Sequence, residues 1–216
     1  MAFPTTSVLD NFNTTTGDNL RGRTGWHATN IWISTEMNQW RTDLIGPTYA
    51  AGNPSPCSAY WGTTVGPDSE TYIDFSGVFV NTVVLFVRTG FTAGVASSGY
   101  LARLDNAGAF SIEKWDATVL ASGSFTSPAS GDTYGFEAAG SALTVYRKPS
   151  GGSWGTDLGG GTLTVSDSTY TGSGLIGMAS TSGSGVRIDS FSGGSSAASA
   201  TPQMNTHRVA RIGSRS

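Results

Sequence analysis

Two histidines, fifteen acidic side chains and one cysteine are the groups of the 216-residue chain whose spacing bears first on acid–base or thiol chemistry. A Ser-His-Asp arrangement needs a histidine held in register with its serine. His207 lies in a Ser/Ala-flanked tail, where nothing preorganises it, and His27 sits between Trp26 and Ala28 as a ring expected to be partly buried. The string Gly151-Gly152-Ser153-Trp154-Gly155 matches G-x-S-x-G. A nucleophile elbow requires a strand turning sharply into a helix, and no helical pattern follows. Glycoside hydrolysis needs two carboxylates about 5–10 Å apart across a bond. Asp68, Glu70 and Asp74 share a strand face by even spacing, but Gly66-Pro67-Asp68-Ser69 reads as a turn with solvated acids, and Glu113 and Asp116 point to opposite faces. No catalytic set follows, and the chain is expected not to be an enzyme.

Cofactor chemistry is equally sparse. There is no EF-hand spacing, no C-x-x-C and no histidine pair at helical spacing. A weak Ca2+ site built from loop carboxylates and carbonyls stays open. Gly159-Gly160-Gly161-Thr162 lacks the lysine of a phosphate loop. Cys57 has no disulfide partner in the chain and is expected to be a small buried thiol. Five large rings, Trp26, Trp32, Trp40, Tyr60 and Trp61, crowd the first third of the chain. Trp61, Tyr60 and Trp40 are the candidate ligand platform, although rings of this kind also fill cores. Tyr60 and Trp61 face opposite ways on a strand, so one of them is expected at the surface.

The elements that would position these groups are strands. Thirty glycines, 12% charged residues and 11% aromatics suit many short strands joined by tight turns, with enough apolar bulk for a core. Strands are expected near 7–12, 26–33, 57–62, 71–75, 78–88, 99–105, 109–116, 118–125, 132–138, 142–148, 162–166, 174–179 and 186–192. Asp105-Asn106-Ala107-Gly108 and Ala139-Gly140-Ser141 read as hairpin turns. Thr82 to Val87 is apolar on both faces of the pleat, the mark of a central strand covered on each side. In Ala142 to Arg147 one face carries Leu143 and Val145 before Arg147 surfaces. The longest apolar run, Val78 to Val87, is too short and too interrupted to span a bilayer. Met-Ala-Phe-Pro-Thr-Thr-Ser lacks the charged start and apolar stretch of a secretion signal, so the sequon at Asn13 is expected to stay bare.

Leu9-Asp10-Asn11-Phe12 and Ile188-Asp189-Ser190-Phe191 repeat one order of apolar, Asp, polar and Phe. If the two segments pair, the chain ends close the fold, with Leu9 and Asn11 on one face and Asp10 and Phe12 on the other. The reading divides the chain into a body, 1–192, and a Gly/Ser/Ala linker with a basic arm, 193–216. No acid follows Asp189, whereas Arg208, Arg211 and Arg215 do, which leaves nine basic residues against fifteen acids in the body. A body that acidic argues against a nucleic-acid surface.

Leu9-Asp10-Asn11-Phe12-Asn13, Trp26, the strand Leu143-Thr144-Val145-Tyr146, Gly174-Leu175-Ile176-Gly177 and Val186-Arg187-Ile188-Asp189-Ser190-Phe191, in that order, resemble the concanavalin A-like, laminin-G-type jelly-roll modules of bacteriophage structural proteins and some bacterial carbohydrate-associated proteins. The resemblance covers roughly residues 7–192 and implies an all-β, antiparallel two-sheet jelly-roll sandwich with a binding or structural role. The Glu-x-Asp-x-Glu triplet of the related glucanases has no match, so no active site carries over. Asp10 and Asp189 are the carboxylates in the resembling strands, open either to calcium or to backbone hydrogen bonding. The leading expectation is a capsid decoration protein on the virion surface, oligomeric on the particle, with Arg208, Arg211 and Arg215 on other virion proteins and no membrane partner. The alternative is a carbohydrate-binding adhesin or tail-associated module whose partners are surface glycans.

Overall fold

Apolar residues at every second position need a second layer to bury them, and the chain supplies two such layers. The computed structural model describes residues 3–12, 24–27, 40–41, 46–47, 57–75, 82–92, 95–155, 163–180 and 188–196. One sheet has six strands: β1 (Val8–Asp10), β15 (Ile188–Ser195), β6 (Ser69–Phe75), β11 (Thr133–Ala139), β12 (Ala142–Lys148) and β13 (Leu163–Ser166), in that spatial order. The other has seven: β10 (Val119–Ser124), β9 (Ala109–Lys114), β8 (Val95–Asp105), β7 (Thr82–Thr92), β14 (Leu175–Ser180), β5 (Cys57–Trp61) and β2 (Trp26–His27). A short pair, β3 (Trp40–Arg41) with β4 (Gly46–Pro47), stands apart from both. Every ladder is antiparallel, and the described residues hold no helix. This is the expected two-sheet jelly-roll sandwich.

The core lies between the sheets. Ile73, Phe75, Phe136, Leu143 and Phe191 from the first meet Val83, Leu85, Val87, Ile112, Ile176 and Met178 from the second. A fully buried side chain of this size contributes roughly 1.5–3 kcal/mol, which dominates the stability of a chain with no disulfide to help. The outward residues of β7, Val84 and Phe86, pack into a second cluster with Tyr60 and Leu101, so this central strand is covered on both faces, as its composition implies.

The chain ends pair as expected, with Val8 opposite Ser192 and Asp10 opposite Phe191. The simple alternation does not hold there. A bulge follows Val8, Phe12 turns to φ 53° and is buried, and Asn11 is exposed. The Asp10 carboxylate sets this geometry by accepting from Phe12 N at 2.9 Å and from Trp26 Nε1 at 2.8 Å, which gives that acid the structural role. Asp189 is exposed beside the bulge that interrupts the ladder of β15 with β6. That last strand continues three residues beyond 192, through Gly193, Gly194 and Ser195. A Cβ on Gly193 would lie 2.4 Å from the Glu70 carbonyl oxygen, so the glycine that reads as linker is what lets the strand close on β6.

Arg147 does not surface. It keeps the inward direction of Leu143 and Val145 and is buried, because Asp132 waits for it there. Its Nη2 donates to Asp132 Oδ2 at 2.7 Å and its Nε to the same oxygen at 3.2 Å. Thr126 receives Nη1 through its hydroxyl and carbonyl oxygens. At the other end of the sandwich the buried Arg88 donates to the carbonyls of Pro67, Tyr170 and Gly140 and ties three connections together.

Candidate functional site

The hairpin turn at Asp105 to Gly108 closes as its sequence implies: Asp105 Oδ1 accepts from Ala107 N and Ala109 N at 2.9 and 2.8 Å, and Gly108 takes φ 94°. That turn sets the register of β8 with β9, placing Arg103 opposite Ser111 and Leu101 opposite Glu113. Arg103 and Glu113 are therefore diagonal neighbours on the outer face of the seven-stranded sheet. Arg103 Nε donates to Glu113 Oε1 at 3.1 Å and Nη2 to Oε2 at 3.4 Å, a two-point contact. Ser111 Oγ donates to Glu113 Oε1 at 2.5 Å. The Arg103 side chain is 39% exposed and that of Glu113 10%.

Arg103 and Ser111, both braced by Glu113, line an open trough of about 260 Å³ together with Thr82, Asp105, Ala109 and Phe110. Two residues past Glu113 on the same face, half-buried Trp115 packs against Phe86 with ring centroids 5.9 Å apart. Val119, opposite Glu113 on β10, is 57% exposed. Guanidinium has five donors, and the contact with Glu113 uses two of them, so the rest can reach a ligand in the trough. The Ser111 hydroxyl is spent on a carboxylate that Arg103 in turn holds by two points. The trough falls below the roughly 300–1,000 Å³ of sites that enclose a drug-sized ligand, which suits a shallow contact.

The expected platform is arranged differently. Tyr60 faces the outer side but is 1% exposed, stacked on Phe86 at 5.1 Å and edge-on to Phe91 at 5.3 Å, so it offers no free ring. Burial drives its hydroxyl pKa well above the ordinary value. Trp61 is the register partner of Trp26 and so turns toward the core, half-buried, with ring centroids 5.7 Å apart. Its ring is also roofed by Gly25, where a Cβ would come within 2.3 Å. Trp40 lies on β3, but its side chain, Trp32 and the arm residues Arg208, Arg211 and Arg215 fall outside the described residues. The sequence signal for the site found instead was the Asp105 to Gly108 turn, which dictates that Arg103, Ser111 and Glu113 share a face.

The other candidate acids are engaged. Asp68 Oδ1 accepts from Gly140 N at 2.7 Å and lies 3.7 Å from Arg88, while Asp74 takes hydroxyls from Thr133 and Ser190. Glu70 is covered by the N-terminal segment, receiving Thr5 N and Thr6 N at 2.7 Å each and Thr6 Oγ1 at 2.6 Å. The G-x-S-x-G segment is a turn with Gly151 and Gly155 at φ 72° and 75°, and Ser153 is exposed in it. Among the described residues, no three His, Cys, Asp or Glu side chains gather as a metal site would require.

No protein-family model and no curated protein matches the chain. Solved structures share its fold. A Bacillus subtilis protein of unknown function with a galectin-like fold superposes with a TM-score of 0.51 at 13% identity, covering 71% of this chain and 82% of that one. The exoplasmic/lumenal domain of VIP36, in its Ca2+/Man2-bound form, gives 0.50 at 13% identity over 82% of each chain. The carbohydrate-binding module CBM66 of Bacillus subtilis gives 0.47 at 17% identity, over 79% of this chain and 92% of that one. The fold these likenesses define is an antiparallel two-sheet jelly-roll sandwich of the concanavalin A-like kind.

Proposed function

We propose that the chain is a non-catalytic carbohydrate-binding module that holds a glycan in the trough of the seven-stranded sheet. The observation that carries the reading is the braced Arg103, Glu113 and Ser111 set beside the half-buried Trp115. Sugars present hydroxyls that donate and accept at once, and a guanidinium locked to a carboxylate offers both partners without reordering a side chain. Trp115, two residues past Glu113 and outside the trough's lining, supplies an apolar surface for a second pyranose ring of a glycan that extends along β9. The galectin-like fold supports the reading, as does the VIP36 domain, which shares the fold and was solved in a Ca2+/Man2-bound form. The virion role expected from the resemblance, the linker and the arm finds no support among these solved structures, and the fold likenesses favour the carbohydrate alternative.

A glycan array followed by titration calorimetry tests it. Arg103→Ala and Trp115→Ala, each with unchanged far-UV dichroism, are expected to weaken the best array hit at least tenfold, or about 1.4 kcal/mol. An array without hits, or a hit indifferent to both changes, removes the proposal.

A further inference from the structure

On the opposite side of the sandwich, the outer face of the six-stranded sheet carries a groove that the chain fills with its own residues 3–6. The floor is Gly135 of β11, where a Cβ would lie 2.2 Å from the Phe3 ring, so only glycine leaves the space that the ring takes up. Phe3 lies flat on Tyr146 with centroids 4.1 Å apart and planes 1° from parallel. Tyr72 and Trp154 meet it edge-on at 5.9 and 4.8 Å. Around this stack stand two carboxylates that the ladder of β11 with β6 places directly opposite each other, Glu70 and Glu137. Like charges in that position are costly unless something donates to them. The strap does so for Glu70 Oε1 through Thr5 N, Thr6 N and Thr6 Oγ1, and Tyr146 Oη does so for Glu137 Oε2 at 2.7 Å. Glu70 Oε2, in a fully buried side chain, has no hydrogen-bond partner.

We propose that this groove is a second ligand site, specific for a hexopyranose ring, and that the strap of residues 3–6 is its built-in competitor. A pyranose replacing Phe3 would lay its C–H face on Tyr146 and turn rim hydroxyls toward the two acids. Those hydroxyls replace the strap's three donors and add one for Glu70 Oε2, which the strap leaves unsatisfied. An aromatic or aliphatic ligand would fill the stack but donate nothing to the acids. The site shares its ligand class with the reading above but none of its residues.

Because the strap must leave first, the affinity of the whole chain is reduced by the fraction of time the groove is open. In the full-length protein, Phe3→Ala is therefore expected to bind one of cellohexaose, maltohexaose or laminarihexaose at least tenfold more tightly than the unaltered chain. The gain should vanish in Phe3→Ala/Tyr146→Ala and survive in Phe3→Ala/Arg103→Ala, which separates this groove from the trough. As a measurement independent of any variant's folding, saturating hexaose should speed hydrogen exchange at the Thr5 and Thr6 amides of the unaltered chain. Unchanged exchange at those amides under all three sugars, a gain that Tyr146→Ala leaves intact, or tighter binding of choline than of every hexaose overturns the proposal.

Discussion

Replacing Arg147 by methionine strands a charge. Asp132 is 1% exposed, and the pair is buried on both sides, with side-chain exposures of 4% and 2%. Without the guanidinium, Asp132 keeps Ser150 N at 3.0 Å, Ala129 N at 2.9 Å and the long contact from Tyr134 Oη at 3.4 Å. These are neutral donors, and none replaces the cation. Removing one member of a buried, hydrogen-bonded pair costs about 3–5 kcal/mol, mostly as the penalty of the charge left behind. Urea unfolding of a chain this size loses about 3 kcal/mol per molar, so the midpoint should fall by roughly 1 to 1.7 M with the slope unchanged. Asp132→Asn/Arg147→Met removes both charges and should recover part of the loss, since the single amide oxygen can still accept from Ser150 N or from Ala129 N, though not from both. A single variant within about 1 kcal/mol of the unaltered chain, or a double variant worse than the single, refutes the account of Arg147 as the partner that makes Asp132 tolerable.

Two pH dependences follow from one half-buried and one buried titratable group. Burial holds the Glu137 carboxyl above its ordinary value, opposed by the hydrogen bond from Tyr146 and reinforced by the charge of Glu70. The folded chain then binds that proton more tightly than the unfolded chain, so stability declines as pH rises from the ordinary glutamate value through the raised one. Urea midpoints across the acid range should show that decline, and Glu137→Gln should flatten it. Tyr100 is pushed from 10.0 to about 12, first by burial and then by its hydrogen bond to Asp167. Its contribution is complete below pH 10.0 and is lost as pH rises toward about 12, so Tyr100→Phe should flatten the alkaline limb of the same titration.

Local chemistry made much of this fold legible. The Asp105 to Gly108 turn announces its hairpin, and through the register it commits Arg103, Ser111 and Glu113 to one face, a consequence that turn length and strand alternation together imply. The apolar two-faced run of β7 marked its central place, and the echo between residues 9–12 and 188–191 marked the pairing of the ends. Failures fell where a partner distant in sequence decides. Arg147 ends a half-buried strand and reads as a surfacing charge, but Asp132, fifteen residues earlier, brings it inside. Tyr60 reads as a platform ring but is buried, because ring-rich strands serve both surfaces and cores. Which use applies depends on Phe86, Phe91 and Trp26 from neighbouring strands.

The strap shows the limit most clearly. Phe3-Pro4-Thr5-Thr6 has no periodicity, and the carboxylate that receives it is 64 residues on from Thr6. Alternation and turn residues act over a few positions along the chain, so the sequence by itself determined an all-β sandwich, its hairpins and the meeting of its ends. Tertiary structure alone decided which outward faces are filled and which stay open. That depends on side chains brought together by sheet order, and a pattern along one strand carries no record of what lies across the next.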